Sequence, residues 1–257
     1  MTDTGVETGR PPLGLAMSSL LRADFTVLLN GKTSVFLSTL LPIVIVVANS
    51  FGKAQTRLGG STIIIGLALT LGLITASLFG YTLTLAHDRE TGVLQRLRVT
   101  PAPTWMIMTS RLLVQVITNL IASLVVVLVG AIVYGLTLNV GQYLLVLAVA
   151  VLGAAVFLAI GQAVVGLVQS TSAINAISRL LMIVLILLGL LGGTGILGDT
   201  VKTIADWSPV GALMTLFSAA LNQSPWNGQV TYSLLACAGY ILVFAFMGIR
   251  WFRWNTR

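Results

Sequence analysis

Seventeen consecutive residues, His87 to Pro103 (HDRETGVLQRLRVTPAP), carry the densest charge in a chain that otherwise avoids it. Asp88, Arg89, Glu90, Arg96 and Arg98 fall within eleven positions. The chemistry open to such a run is ionic and hydrogen-bonded docking. Read as a helix, residues 89–98 place Val93, Leu94 and Leu97 on one face and Arg89, Gln95 and Arg96 elsewhere. Thr100-Pro101-Ala102-Pro103 then enforces an extended exit, because a residue before proline avoids the helical region. A short amphipathic rod of this kind can plug a groove on another protein while its charges pair at the rim. A loop that only sets topology needs no Gly92, no amphipathic period and no proline pair. Bond-making chemistry has less to work with, since the apolar spans on either side hold no carboxylate pair, histidine cluster or Ser-His arrangement.

Two further sets of residues could do chemistry. Asn30-Gly31-Lys32-Thr33 resembles the end of a phosphate-binding loop, but that motif requires glycine at position 26 and the chain has Thr26. Lys32 therefore reads as an interfacial anchor. Polar residues inside the spans are few: Asn49, Thr70, Thr75, Ser77, Gln115, Asn119, Gln162 and Asn175. Hydrogen bonding between helices accounts for most of these, at about 0.6 kcal/mol each. Asn49, Thr70, Thr75, Ser77, Gln162 and Asn175 are the candidates for lining a substrate path. Gly189 and Gly193 form a small-xxx-small pair, a candidate seam for close helix packing in a dimer. Arg111 and Arg179, near the starts of spans 3 and 5, are expected to snorkel to the headgroups.

The elements that must position these residues are membrane helices. Of 257 residues, 56% are hydrophobic and 8% charged, against about 25% charged in soluble domains. The mean hydropathy is +1.00, and continuous apolar runs predict an all-α polytopic membrane protein rather than a barrel. The expected order is a tail at 1–12, then an interfacial amphipathic helix at 13–32. Six spans follow at 34–51, 62–86, 106–134, 143–168, 173–197 and 232–249. Pro42 kinks the first span, the connector 87–103 joins the second and third, and Ser172 caps the fifth. The segment 199–229 is too apolar for a plain loop. Ser208-Pro209 starts a helix there, and twelve helical residues from Val210 reach only about 18 Å, too short to cross. It is expected to be an external re-entrant segment. The one cysteine, Cys237, excludes a disulfide framework.

With the N-terminus inside, eleven Lys and Arg residues fall on the cytoplasmic side and three (Lys53, Arg57, Lys202) on the other. That bias places both termini and the connector in the cytoplasm. The net charge of +7 is spread along the flanks of spans, so nucleic acid is not an expected partner.

The run Asp88-Arg89-Glu90-Thr91-Gly92-Val93-Leu94-Gln95-Arg96-Leu97-Arg98-Val99-Thr100-Pro101 resembles the signature of type-2 ATP-binding-cassette (ABC) exporter permeases, with Asp88 where Glu is commoner and Val93 where Thr is commoner. The likeness extends over the chain's whole layout and is greatest to the small drug-efflux and antibiotic-resistance members. It implies a single permease domain over 1–257 in the plasma (inner) membrane, paired with itself or a sister permease and with two cytosolic ABC ATPase subunits. Asp88, Arg89, Glu90, Gly92, Leu94, Leu97, Arg98 and Pro101 would form the coupling segment. No cofactor is expected on this chain, and ATP and Mg would sit on the partner ATPase, so the permease itself is not an enzyme. The implied function is ATP-driven export of a hydrophobic substrate (drug, antibiotic or lipid). An ion-coupled secondary transporter or channel is the alternative, disfavoured because no Asp or Glu is expected deep in a span.

Overall fold

The computed structural model describes residues 13–30, 32–51, 60–93, 96, 103–192, 198–222 and 227–251, and all regular structure among them is helical. The expected tail at 1–12, the loop with Lys53 and Arg57, and Leu94, Leu97, Arg98, Pro101 and Gly193 lie outside these residues. Helix α1, Leu13–Asn30, packs against the start of the third span. Helix α2, Lys32–Ser50, contains Pro42. The Pro42 ring approaches the next span at Gly72, where an added Cβ would meet Pro42 Cγ at 2.9 Å.

The second span is longer than its apolar run. Helix α3, Ser61–Leu73, passes into a π-helical stretch, Ile74–Gly80, and then into α4, Tyr81–Glu90. The sequence ends this span at residue 86 and starts a separate helix at 89. Instead the helix runs on to Glu90 and breaks at Thr91-Gly92, where Gly92 adopts φ 74°. A new turn begins at once, with Arg96 N–H donating to Gly92 C=O at 3.1 Å. Charge alone does not end a helix. A glycine in the left-handed region does.

Helix α5, Thr104–Tyr134, ends at Gly135 in the left-handed conformation. Helix α6, Val140–Leu167, opens with a reciprocal capping box between Asn139 and Gln142. Helix α7, Thr171–Leu187, is capped by Ser170, whose Oγ accepts from Ala173 N–H, two residues before the expected Ser172. A π-helical turn, Leu188–Gly192, extends it. Helices α8, Asp199–Trp207, and α9, Pro209–Asn222, meet at 76°. Ser208 Oγ accepts from Gly211 N–H at 3.1 Å, the expected cap. Helix α10, Gly228–Trp251, closes the bundle.

Among the described residues, five helices are long and apolar enough to cross a membrane, Ser61–Glu90, Trp105–Tyr134, Val140–Leu167, Thr171–Leu190 and Gly228–Trp251, or six if the bent pair α8–α9 is one span. The remaining expected span falls on α2, whose apolar stretch is described over Thr39–Ser50. The 76° bend of the pair α8–α9 is the form of a broken span or of a re-entrant segment, the latter being the expected one. Helix α9 packs among α3, α6 and α10, with Val210, Ala212, Leu213 and Phe217 fully buried. Its last turn is fixed by Gln142 Nε2, which donates to Leu221 C=O at 2.6 Å.

Candidate functional site

Adjacent connector residues point in opposite directions. The amphipathic pattern sets Arg89 off the apolar face of a docking helix, free to pair with a partner, but it is only 1% exposed. Its Nη1 donates to Val165 C=O at 2.8 Å, and its Nη2 donates to Val168 C=O at 2.9 Å and Gln169 C=O at 2.8 Å. Those carbonyls end α6, where the last turn has no partners of its own and the helix dipole is negative. The guanidinium thus caps another helix of the same chain and fixes where the connector leaves the bundle. Any part Arg89 plays in coupling is one of position. Glu90, Thr91 and Arg96 are exposed, and Gly92 and Val93 are half-buried.

Asp88 also turns inward. Its Oδ2 pairs with Arg111 Nη1. Arg111, expected to reach the headgroups, is instead engaged inside the protein. At the neighbouring position on α5, Ser110 Oγ donates to Asp24 Oδ2 at 2.6 Å, tying α1 to α5. Burial pushes the Asp24 carboxyl above its usual range. The Ser110 hydrogen bond and the charge of Arg111 oppose that shift, and the charge of Asp88 adds to it.

These groups stand at the connector end of a cavity of about 790 Å³ between α1, α2, the second span and α5. Leu69, Leu73, Phe79, Val114 and Val126 give it an apolar wall. The π-helical stretch contributes Thr75 and Ala76. Such widened turns recur at functional sites, and here the backbone is braced from α5. Gln115 Nε2 donates to Ala76 C=O at 3.4 Å, and Asn119 Nδ2 donates to Ser77 Oγ at 2.5 Å.

Of the six candidate path residues, Thr75 lines this cavity. Asn49 is bonded to Ile45 C=O at 2.7 Å and Thr70 to Gly66 C=O at 2.8 Å, both within their own helices. Ser77 is taken by Asn119. Gln162 packs against Gly248, and Asn175 Oδ1 is buried without a partner among the described residues. Gly189 does not face outward as a dimer seam requires. It is buried, and an added Cβ would meet Val210 Cγ1 at 2.7 Å. The close approach it permits is to α9 of the same chain.

Sequence reasoning misses Asp24, Tyr81 and Ser110. Asp24 is the only carboxylate in α1, which is a signal of a kind, but nothing local marks its partner 86 residues away.

A family model described as ABC-2 type transporter matches residues 16–222. No curated protein matches the chain.

Proposed function

The chain belongs to the ABC-2 type transporter family, and on that premise we propose that it exports a hydrophobic substrate from the cytoplasm, driven by ATP hydrolysis on separate subunits. As a family member it is the multi-pass permease subunit of an ABC transporter. In the proposed assembly it pairs with a second copy or a sister permease in the plasma membrane, with both termini cytoplasmic. Two ABC ATPase subunits carry the ATP and Mg, and they dock on residues 87–103.

The observation that carries this reading is the split between Arg89 and Glu90. A coupling element needs a fixed attachment to the bundle and a free face for the motor. Arg89 supplies the first through three carbonyls at the end of α6. Exposed Glu90 and Arg96, on either side of the left-handed Gly92, support a role as the second. The mostly apolar lining of the cavity favours a hydrophobic cargo such as a drug, antibiotic or lipid.

The test is reconstitution with the partner ATPase. Glu90→Ala and Leu97→Asp should insert and fold like wild type, yet lose at least about tenfold in substrate moved per ATP hydrolysed, the loss expected when a coupling contact of about 1.4 kcal/mol is removed. Unchanged transport per ATP in both variants would remove residues 87–103 from the coupling role. Collapse of transport by a protonophore at constant ATP would point instead to an ion-coupled carrier.

A further inference from the structure

At the cavity's connector end, carboxylates outnumber cations among the described lining residues. Two carboxylates, Asp24 and Asp88, face it together with one guanidinium, Arg111. Arg111 is bonded to Asp88, whereas Asp24 accepts from the neutral hydroxyl of Ser110. Among the described residues, the carboxyl left without a bonded cation is Asp24. A half-buried carboxylate without a bonded cation is costly, because desolvation is not offset by attraction.

A second observation is independent of the carboxylates. Tyr81, on the same cavity wall, is 6% exposed. Its hydroxyl is buried with no hydrogen-bond partner among the described residues, and its charged neighbours are Arg111 and Asp24. A buried tyrosine hydroxyl normally finds a partner. Its lone pairs and the free capacity of the Asp24 carboxylate lie in one neighbourhood, and both can accept hydrogen bonds. Beyond them the wall becomes apolar at Leu69, Leu73 and Val114. The volume, about 790 Å³, falls in the range of about 300–1,000 Å³ that small-molecule sites occupy.

The geometry points to a binding site for an amphipathic cation: a protonated amine held between Asp24 and Tyr81, with its apolar body lying along the Leu69–Leu73–Val114 wall. This names a substrate class for the proposed exporter and rests on that reading. The binding itself requires only the permease. Ammonium hydrogens would satisfy Tyr81 and Asp24 together, and the positive charge would pair with the carboxyl of Asp24. An uncharged molecule with the same body would gain the apolar contacts alone, and an anion would meet net repulsion.

The experiment uses the full chain in zwitterionic-lipid nanodiscs, with empty nanodiscs subtracting partition into lipid. The probe is dansylcadaverine, a fluorescent apolar body bearing a primary amine. Its N-acetyl derivative keeps the body and removes the charge. Wild type should bind the amine at least tenfold more tightly than the acetylated form. Asp24→Asn, whose amide oxygen can still accept from Ser110 and so keeps the α1–α5 tie, should bring that preference to within twofold. Tyr81→Phe, which removes only the unpartnered oxygen, should reduce it by at least threefold. Equal binding of the two probes by wild type would overturn the site. So would an undiminished preference in Asp24→Asn, which would leave Asp24–Ser110 as a structural tie between helices. Neither result depends on ATP-driven transport, so a failed export reading is recognised separately by the reconstituted assay.

Discussion

The two ends of the bundle are built differently. At the connector end, position is set by a few polar bonds between residues far apart in the chain: Arg89 to the end of α6, Asp88 to Arg111, Asp24 to Ser110. At the end formed by α8 and α9, apolar burial does most of the holding, helped by caps within a few residues and by the long-range bonds of Gln142 to Leu221 C=O and Tyr240 to Trp207 C=O. Val210, Leu213 and Phe217 have no exposed surface, and Ser208 caps its own helix. Apolar packing is spread over many contacts and resists displacement as a body. A polar bond is directional and concentrated, so losing one moves one attachment. The connector end is therefore where a small chemical change can alter position while leaving the fold in place. The other end is the fixed frame against which such a change acts.

Four substitutions sharpen or break that contrast, in order of expected size. Phe217→Ala should cost about 3–5 kcal/mol, because a fully buried aromatic leaves a cavity. Its unfolding midpoint in an SDS titration should fall sharply, with no change in protease cleavage within residues 91–103 of the folded protein. Arg89→Ala should cost about 2–3 kcal/mol through the loss of charge-assisted bonds to three carbonyls at the end of α6, of which that of Val165 is buried. Unlike Phe217→Ala, it should increase cleavage in the connector under native conditions. If its cleavage pattern matches wild type, the guanidinium is not what fixes the connector. Gly92→Ala comes next, at about 1–2 kcal/mol for forcing a side chain into the left-handed region. Smaller still is Glu90→Ala, within about 0.5 kcal/mol because the residue is exposed. A stability loss comparable to that of Arg89→Ala would show that Glu90 also faces inward, and the split between the two neighbours would disappear.

Features that depend on near neighbours are legible in the amino-acid order. The Ser208-Pro209 start of α9 involves residues within one helical turn of each other. The cap of α7 lies two residues earlier than the spacing suggests, because Ser170 and Ser172 are chemically equivalent and only the backbone path distinguishes them. The fate of Arg89 is not legible in this way. As a basic residue in a basic connector it fits an outward face, and what turns it inward is the end of α6, some 76 to 80 residues later. Gly189 misleads for a similar reason. A glycine announces close approach but not to what, and the neighbour is α9 rather than another chain.

By itself the sequence determined the membrane class, the helical order and the place where charge leaves the apolar bundle. Those follow from hydropathy, capping chemistry and charge, which act over a few residues or along a single span. Only the tertiary structure decided which charges are spent inside the protein and which remain free, and that Asp24, Asp88, Arg111 and Tyr81 share one cavity. A side chain's partner depends on how distant helices are rotated and stacked against one another, and no periodicity within a single helix records that arrangement.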